Sequence, residues 1–219
     1  MHRTKRFIGI VALCVAPLAA FAADALTVAG RVVAPDGTGI AQAVVFVQAP
    51  PAGARSTAGA PSAEMDQIDK TFVPGVLPVV VGTTVHFPNH DQILHHVYSF
   101  SRTKSFELPL YKGRDAPPVL FDKVGVVKVG CNIHDWMSGI ILVLPTRHFS
   151  VTDDTGRFVL RDLPAGSYEL AAWHASSQVK LDATVQRLAV DRNVEDLTFE
   201  LALAAARPRP AVRGVRRDQ

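Results

Sequence analysis

Short apolar runs with a period of two, turn residues at close spacing and the want of any convincing helical periodicity predict an all-β protein. Between Ala25 and Gln48 the run LTVAGRVVAPDGTGIAQAVVFVQ alternates apolar with small or polar residues around Pro35-Asp36-Gly37, which predicts a β-hairpin. The stretch APPAGARSTAGAPSAE has no apolar periodicity, so residues 49–64 read as a flexible linker. A second β-rich block covers residues 65–146, with LPVVV, TVHF, HHVYSF, VGVVKV and GIILVL as its short strands. The last block, residues 147–204, returns to the style of the first. Asp153-Asp154-Thr155-Gly156 is a turn, Phe158 and Leu160 then Tyr168 and Leu170 alternate as in paired strands around Pro164-Ala165-Gly166, and Leu197, Phe199, Leu201 and Leu203 form a final period-two strand.

The first two dozen residues differ from the rest. His2, Arg3, Lys5 and Arg6 form a basic head, Phe7 to Ala20 form an apolar stretch, and Ala20-Phe21-Ala22 supplies a small-x-small cleavage pattern. Residues 1–23 therefore read as an export signal cut after Ala22 or Ala23, and the mature chain is expected in the periplasm. The apolar stretch is shorter than the roughly 20 residues that span a bilayer, and no transmembrane segment is expected after cleavage. Cleavage removes three of 23 basic residues (Arg3, Lys5, Arg6) and none of 20 acidic ones, leaving 20 against 20, so the formal charge of +3 belongs to the signal. Nothing in this balance points to a nucleic-acid partner. Residues 205–219, with five arginines against one aspartate, read as a solvated basic tail.

Of the two cysteines, Cys14 lies in the signal, so Cys131 stands alone in the mature chain and no intrachain disulfide can form. An unpaired thiol in an oxidising compartment must be buried, catalytic or bound to a metal. In CNIHDWM, His134 follows three residues after Cys131 and Met137 three residues after that. Val127, Val129 and Cys131 share one side of a strand, which points the thiol inward from the strand end. His134 and Met137 are then expected on a tight loop before Ile140 to Leu144 re-enters the sheet. Two imidazoles, one thiolate and a weak axial thioether form the donor set of a mononuclear type 1 copper site, and this run supplies three of the four. A catalytic Cys-His pair is the rival, but no orienting or oxyanion partner accompanies it. The remaining imidazole is a choice between neighbours, His95 and His96. Strict alternation puts His96 on the face of Tyr98 and Phe100, read as core, and a bulge near the adjoining loop would change that assignment. His86 and His90 read as surface residues, and His148 and His174 as structural ones.

These residues carry a resemblance. FVPGVLPVVVGTTVHFPNHD is similar to the opening strands of the cupredoxins, with an Asn-x-Asp approach to the first histidine, and VLFDKVGVVKVGCNIHDWMSGIILVL is similar to their closing strands and ligand loop. The short Cys-two-His-two-Met spacing resembles amicyanin rather than plastocyanin, although Asp135 stands where a proline often follows the histidine. His95-His96-Val97 matches the family's His-Asn-Val with His96 in the asparagine place. The resemblance thus implies a Greek-key β-sandwich over residues 65–146 holding one type 1 copper ion on His95, Cys131, His134 and Met137. It implies electron transfer rather than catalysis, with a redox protein, a dehydrogenase or cytochrome, as partner. His134 would be the electron port, rimmed by Trp136, Met137 and Ile140, and Asn89 a hydrogen-bond donor to the Cys131 sulfur. A periplasmic protein that stores or delivers copper without relaying electrons is the alternative. The flanking runs VAGRVVAPDGTGIAQAVVFV and VTDDTGRFVLRDLPAGSYELAAW resemble carboxypeptidase regulatory-like domains, which are transthyretin-type sandwiches, so that residues 24–48 plus 147–204 would form one such domain with the copper block inserted. As a whole the chain resembles the plastocyanin-like proteins often labelled methylamine utilization protein.

Overall fold

The computed structural model describes residues 25–49 and 61–205; the segment expected to be an export signal, with Cys14, most of the expected linker and residues 206–219 of the expected tail lie outside them. The described residues form β1 (Leu26–Val33), β2 (Val44–Ala49), β3 (Ser62–Glu64), β4 (Asp66–Ile68), β5 (Thr71–Val73), β6 (Val76–Val80), β7 (Thr83–His86), β8 (His95–Phe100) and β9 (Ser105–Tyr111). They continue with β10 (Val119–Phe121), β11 (Gly125–Cys131), β12 (His134–Leu144), β13 (Phe149–Val151), β14 (Arg157–Leu163), β15 (Gly166–Trp173), β16 (Gln186–Val190) and β17 (Val194–Glu200). One 3₁₀ turn, Leu181–Thr184, is the sole helical piece among the described residues, so the protein is all-β. No helix among them is long and apolar enough to cross a membrane.

The strands sort into two sandwiches. Between residues 62 and 144, a sheet of order β6-β12-β11-β8-β9 and a sheet of order β10-β7-β3 share a core that includes Phe72, Val85, Val97, Phe121, Val129, Cys131, Met137 and Ile141, with β4 and β5 as a hairpin at one end. The flanking strands build sheets of order β14-β1-β17 and β13-β2-β15-β16 around Val28, Val32, Val45, Leu160, Leu170 and Phe199. Strand β2 is buried on both faces. Val45 and Val47 point into the flanking core, while Val44 and Phe46 pack on Leu142 and Leu144 of β12. A strand covered on both sides needs apolar residues at consecutive positions, which is why VVFV breaks the alternation of the first segment.

Three local expectations change. The segment of residues 25–48 turns at Pro35-Asp36-Gly37, with Ala34 N–H donating to Thr38 O at 2.8 Å, yet β1 and β2 lie in different sheets, so it is a crossover and not a hairpin. β1 instead pairs antiparallel with β14 and parallel with β17. There Gly30 allows close approach, since a Cβ on it would stand 1.8 Å from Leu197 O. β14 and β15 likewise belong to opposite sheets, and the corner between them is tied by the Tyr168 hydroxyl donating to Pro164 O at 2.6 Å. The third change is at the end of the linker, where Ser62–Glu64 form an edge strand parallel to β7. Its small and polar residues concealed it, because an edge strand takes its hydrogen bonds from a neighbour and here buries only Ala63 against the core.

Candidate metal centre

β8 begins at His95, β11 ends at Cys131 and β12 begins at His134, and all three strands are neighbours in one sheet. Their order along the sheet, β12-β11-β8, brings the three ends together. The alternation along β11 places Val127, Val129 and Cys131 inward, as their burial shows. Cys131 Sγ lies 3.7 Å from His95 Nδ1 and 3.7 Å from His134 Nδ1, and the imidazole centroids are 5.1 Å apart. One donor atom from each of His95, Cys131 and His134 falls within 4.8 Å of the others. His95 is fully buried, Cys131 is buried and His134 is partly exposed.

The expected loop between Cys131 and Ile140 is mostly strand. Cys131 pairs with His134 across the two-residue turn Asn132-Ile133, while one step back Gly130 pairs with Ser138. Asp135, Trp136 and Met137 are therefore a bulge in β12, which lets the strand interrupt its alternation and send Met137 into the core while Asp135 and Trp136 stay outside. Met137 is buried in the same core cluster as Cys131, and both line a groove of about 370 Å³ that also touches Tyr98, Phe100 and Ser138. Trp136 is 55% exposed with its ring 5.3 Å from that of His134, and Ile133 beside it is 49% exposed. Of the expected rim, Met137 is interior, and Ile140 lies in a cleft with Leu142 and Trp173 between the two sandwiches.

His95 and His96 part company. The inward face of β8 carries His95, Val97 and Ser99, and the other face runs out through Tyr98 to Phe100, which is 83% exposed. That face is the outside of the sheet and not the core, contrary to the reading by alternation. A register shift in the β8–β9 pairing does fall between His95 and Val97. His96 turns away from Cys131, with Nε2 2.8 Å from Glu107 Oε1 and Nδ1 unpartnered. His90 pairs with Asp66 at 2.7 Å on the surface, His86 ends β7, and His148 and His174 sit in the flanking part of the chain, where burial pushes both below the usual histidine range. Burial also lowers His134, helped by the neighbouring His95 and Lys70, which favours a neutral imidazole able to donate a lone pair.

The loop before β8 is tied down. Asn89 exchanges backbone hydrogen bonds with Gly113, and its side-chain amide donates to Ile93 O and Tyr111 O, both at 3.0 Å. With those hydrogens spent, Asn89 holds the loop and is not the donor to the Cys131 sulfur that the resemblance implied. Tyr111 donates to Phe87 O at 2.6 Å, accepts from Gln67 Nε2, and is pushed up to about 12 by burial above all. Asp91, which sequence reasoning left without a role, accepts Asp69 N–H at 2.7 Å and Lys70 N–H at 2.8 Å, and its Oδ2 is 2.7 Å from His95 Nε2. Burial works to raise the Asp91 carboxyl, but the His95 contact and the two amides outweigh it and hold the group below its ordinary range. Its signal in the sequence is the Asn-x-Asp of PNHD, a pattern whose meaning appears only once the hairpin β4–β5 is folded against it.

No protein-family model matches the chain, and no curated protein does. Solved structures resemble part of it. A purple cupredoxin from Nitrosopumilus maritimus is 27% identical over 37% of this chain and 98% of its own, with a TM-score of 0.34. A reduced single-site variant of amicyanin is 25% identical over 47% of this chain and 98% of its own, with a TM-score of 0.35. A copper-containing nitrite reductase from Thermus scotoductus SA-01 is 28% identical over 42% of this chain and 25% of its own, with a TM-score of 0.36.

Proposed function

We propose that the chain is an exported one-electron carrier holding a single type 1 copper ion on His95, Cys131, His134 and Met137. The observation that carries this reading is the convergence of two imidazole nitrogens and one thiol sulfur within 4.8 Å at the end of a sandwich, with a buried methionine in the same core. Softness and geometry of such a set favour copper over hard cations, and a trigonal N₂S arrangement with a thioether nearby is the blue-copper pattern. A copper ion bound there supplies a Cu(II)/Cu(I) couple. The protein supplies the rest. Donors rooted in three hydrogen-bonded strands keep their places when the charge changes, which keeps reorganisation small. Burial of Cys131 shields the thiol from solvent oxidants. The partly exposed His134, with Trp136 and Ile133 around it, offers an apolar surface for contact with a redox protein such as a dehydrogenase or a cytochrome.

A copper-delivery role is the second reading, favoured by the partial exposure of His134, which gives an accepting ligand one edge of the donor set to reach. The test is to add Cu(II) to the purified mature chain and record visible absorption and electron paramagnetic resonance spectra. An intense thiolate-to-copper band that vanishes in Cys131→Ser is the expected result, and a colourless wild-type protein would sink the proposal. A Cu(I) chelator then separates the two roles: a relay retains copper through repeated redox cycles, whereas a delivery protein yields it.

A further inference from the structure

We propose that Asp91 is a positioning residue of this centre: its carboxylate keeps the His95 proton on Nε2, presents Nδ1 as a lone pair toward Cys131, and tilts the bound ion toward its more highly charged oxidation state. The proposal rests on the reading of His95 as a copper ligand.

An ionised carboxylate is acceptor-only, so the hydrogen between Asp91 Oδ2 and His95 Nε2, 2.7 Å apart, belongs to the imidazole. A neutral imidazole protonated at Nε2 has its lone pair on Nδ1, the nitrogen that lies 3.7 Å from Cys131 Sγ. Ring orientation and tautomer are thus set by one hydrogen bond on the far side of the ligand. The side chain of His95 is fully buried and that of Asp91 only 13% exposed, so water cannot compete for the bond and the charge acts at low dielectric. A negative charge one hydrogen bond from the ligand stabilises Cu(II) more than Cu(I).

The carboxylate is itself held. Ile68 pairs with Thr71, leaving Asp69 and Lys70 as the two-residue turn of the β4–β5 hairpin, and both have left-handed backbones, at φ 52° and 57°. Residues other than glycine adopt that conformation rarely, and here the turn aims two successive amides at Asp91, one per oxygen. The Asp91 amide in turn donates to Asn89 Oδ1 at 3.0 Å. His96 supplies the contrast within the same dipeptide. Its carboxylate partner, Glu107, has a side chain 70% exposed, and its other ring nitrogen faces no donor.

Asp91→Asn keeps the shape and removes the charge, and Asp91→Glu restores it. With copper bound, the asparagine variant is expected to lower the preference for Cu(II) over Cu(I) about tenfold, a rise in reduction potential of about 59 mV, with part of the shift recovered in the glutamate variant. A potential that moves by less than a twofold change in that ratio overturns the proposal. The metal-free wild-type chain gives a readout that needs neither copper nor a folded variant: ¹⁵N shifts of the His95 ring, followed to a pH at which the ring is neutral, should show Nε2 protonated and Nδ1 bare, and the opposite tautomer overturns the proposal. A wild-type chain without the thiolate band would defeat the copper reading, while the tautomer still decides the arrangement of Asp91 and His95.

Discussion

The two sandwiches of this chain bury different things. The flanking one encloses an almost wholly apolar core, and its buried hydroxyls serve the backbone: Thr152 accepts from Ala43 N–H and donates to Ile40 O, and Thr184 donates to Leu181 O. The other sandwich gathers Gln67, Asn89 and His95 in its interior near one end, beside Cys131 and Met137. Buried polar groups require partners, and each added partner fixes a side chain's position. One sandwich therefore spends its interior on stability, while the other gives up apolar burial to hold donors in place.

The sharpest way to break this contrast is in the flanking core. Phe199→Ala is expected to cost about 3–5 kcal/mol by denaturant unfolding, without moving the copper-thiolate band of the protein that remains folded. A shifted band would show that the flanking core shapes the site. Tyr111→Phe should do the reverse. Loss of its hydroxyl between Gln67 and Phe87 is expected to cost only about 1–3 kcal/mol, yet to alter the spectrum, since Tyr111 pairs with His95 across β8 and β9. The smallest effect concerns pH. His148 and His174 have folded values lowered by burial from 6.5, so the unfolded chain takes up protons first as the solution is acidified. Stability in full above about pH 6.5 falls as the pH drops toward and through the lowered folded values. Denaturation midpoints of the metal-free chain should show this slope in wild type and a weaker one in His148→Gln/His174→Gln; equal slopes would place the dependence elsewhere.

The fold class and the approach of His134 to Cys131 were legible because their signals are local. Inward alternation along Val127, Val129 and Cys131 survives in β11, His134 lies 3.7 Å from Cys131 Sγ, and Met137 shares the buried core of Cys131. Partnership between strands was not legible. β1 and β2 read as a hairpin because a turn lies between them, but burial of β2 on two faces assigns it to another sheet. The division between His95 and His96 depends on which face of β8 is outside, and Phe100, an aromatic in the open, misleads any rule that equates apolar with interior. Asp91 was hidden for a related reason. A carboxylate four residues before a histidine means nothing outside a helix until a distant turn, Asp69-Lys70, supplies the amides that hold it.

The seam at β2 has a consequence for how such a chain can be built or rebuilt. Val47 N–H donates to His148 O at 2.9 Å and the Thr146 hydroxyl donates to Val47 O at 2.9 Å, so the backbone leaves the flanking sheet and rejoins it at adjacent points. Where two chain ends are held together in this way, the entropy of closing the stretch between them grows only slowly with its length. The stretch between β2 and β13 thus begins and ends at neighbouring points, yet it also supplies Leu142 and Leu144 to cover Val44 and Phe46, so cutting it down to a short turn would leave the outer face of β2 bare.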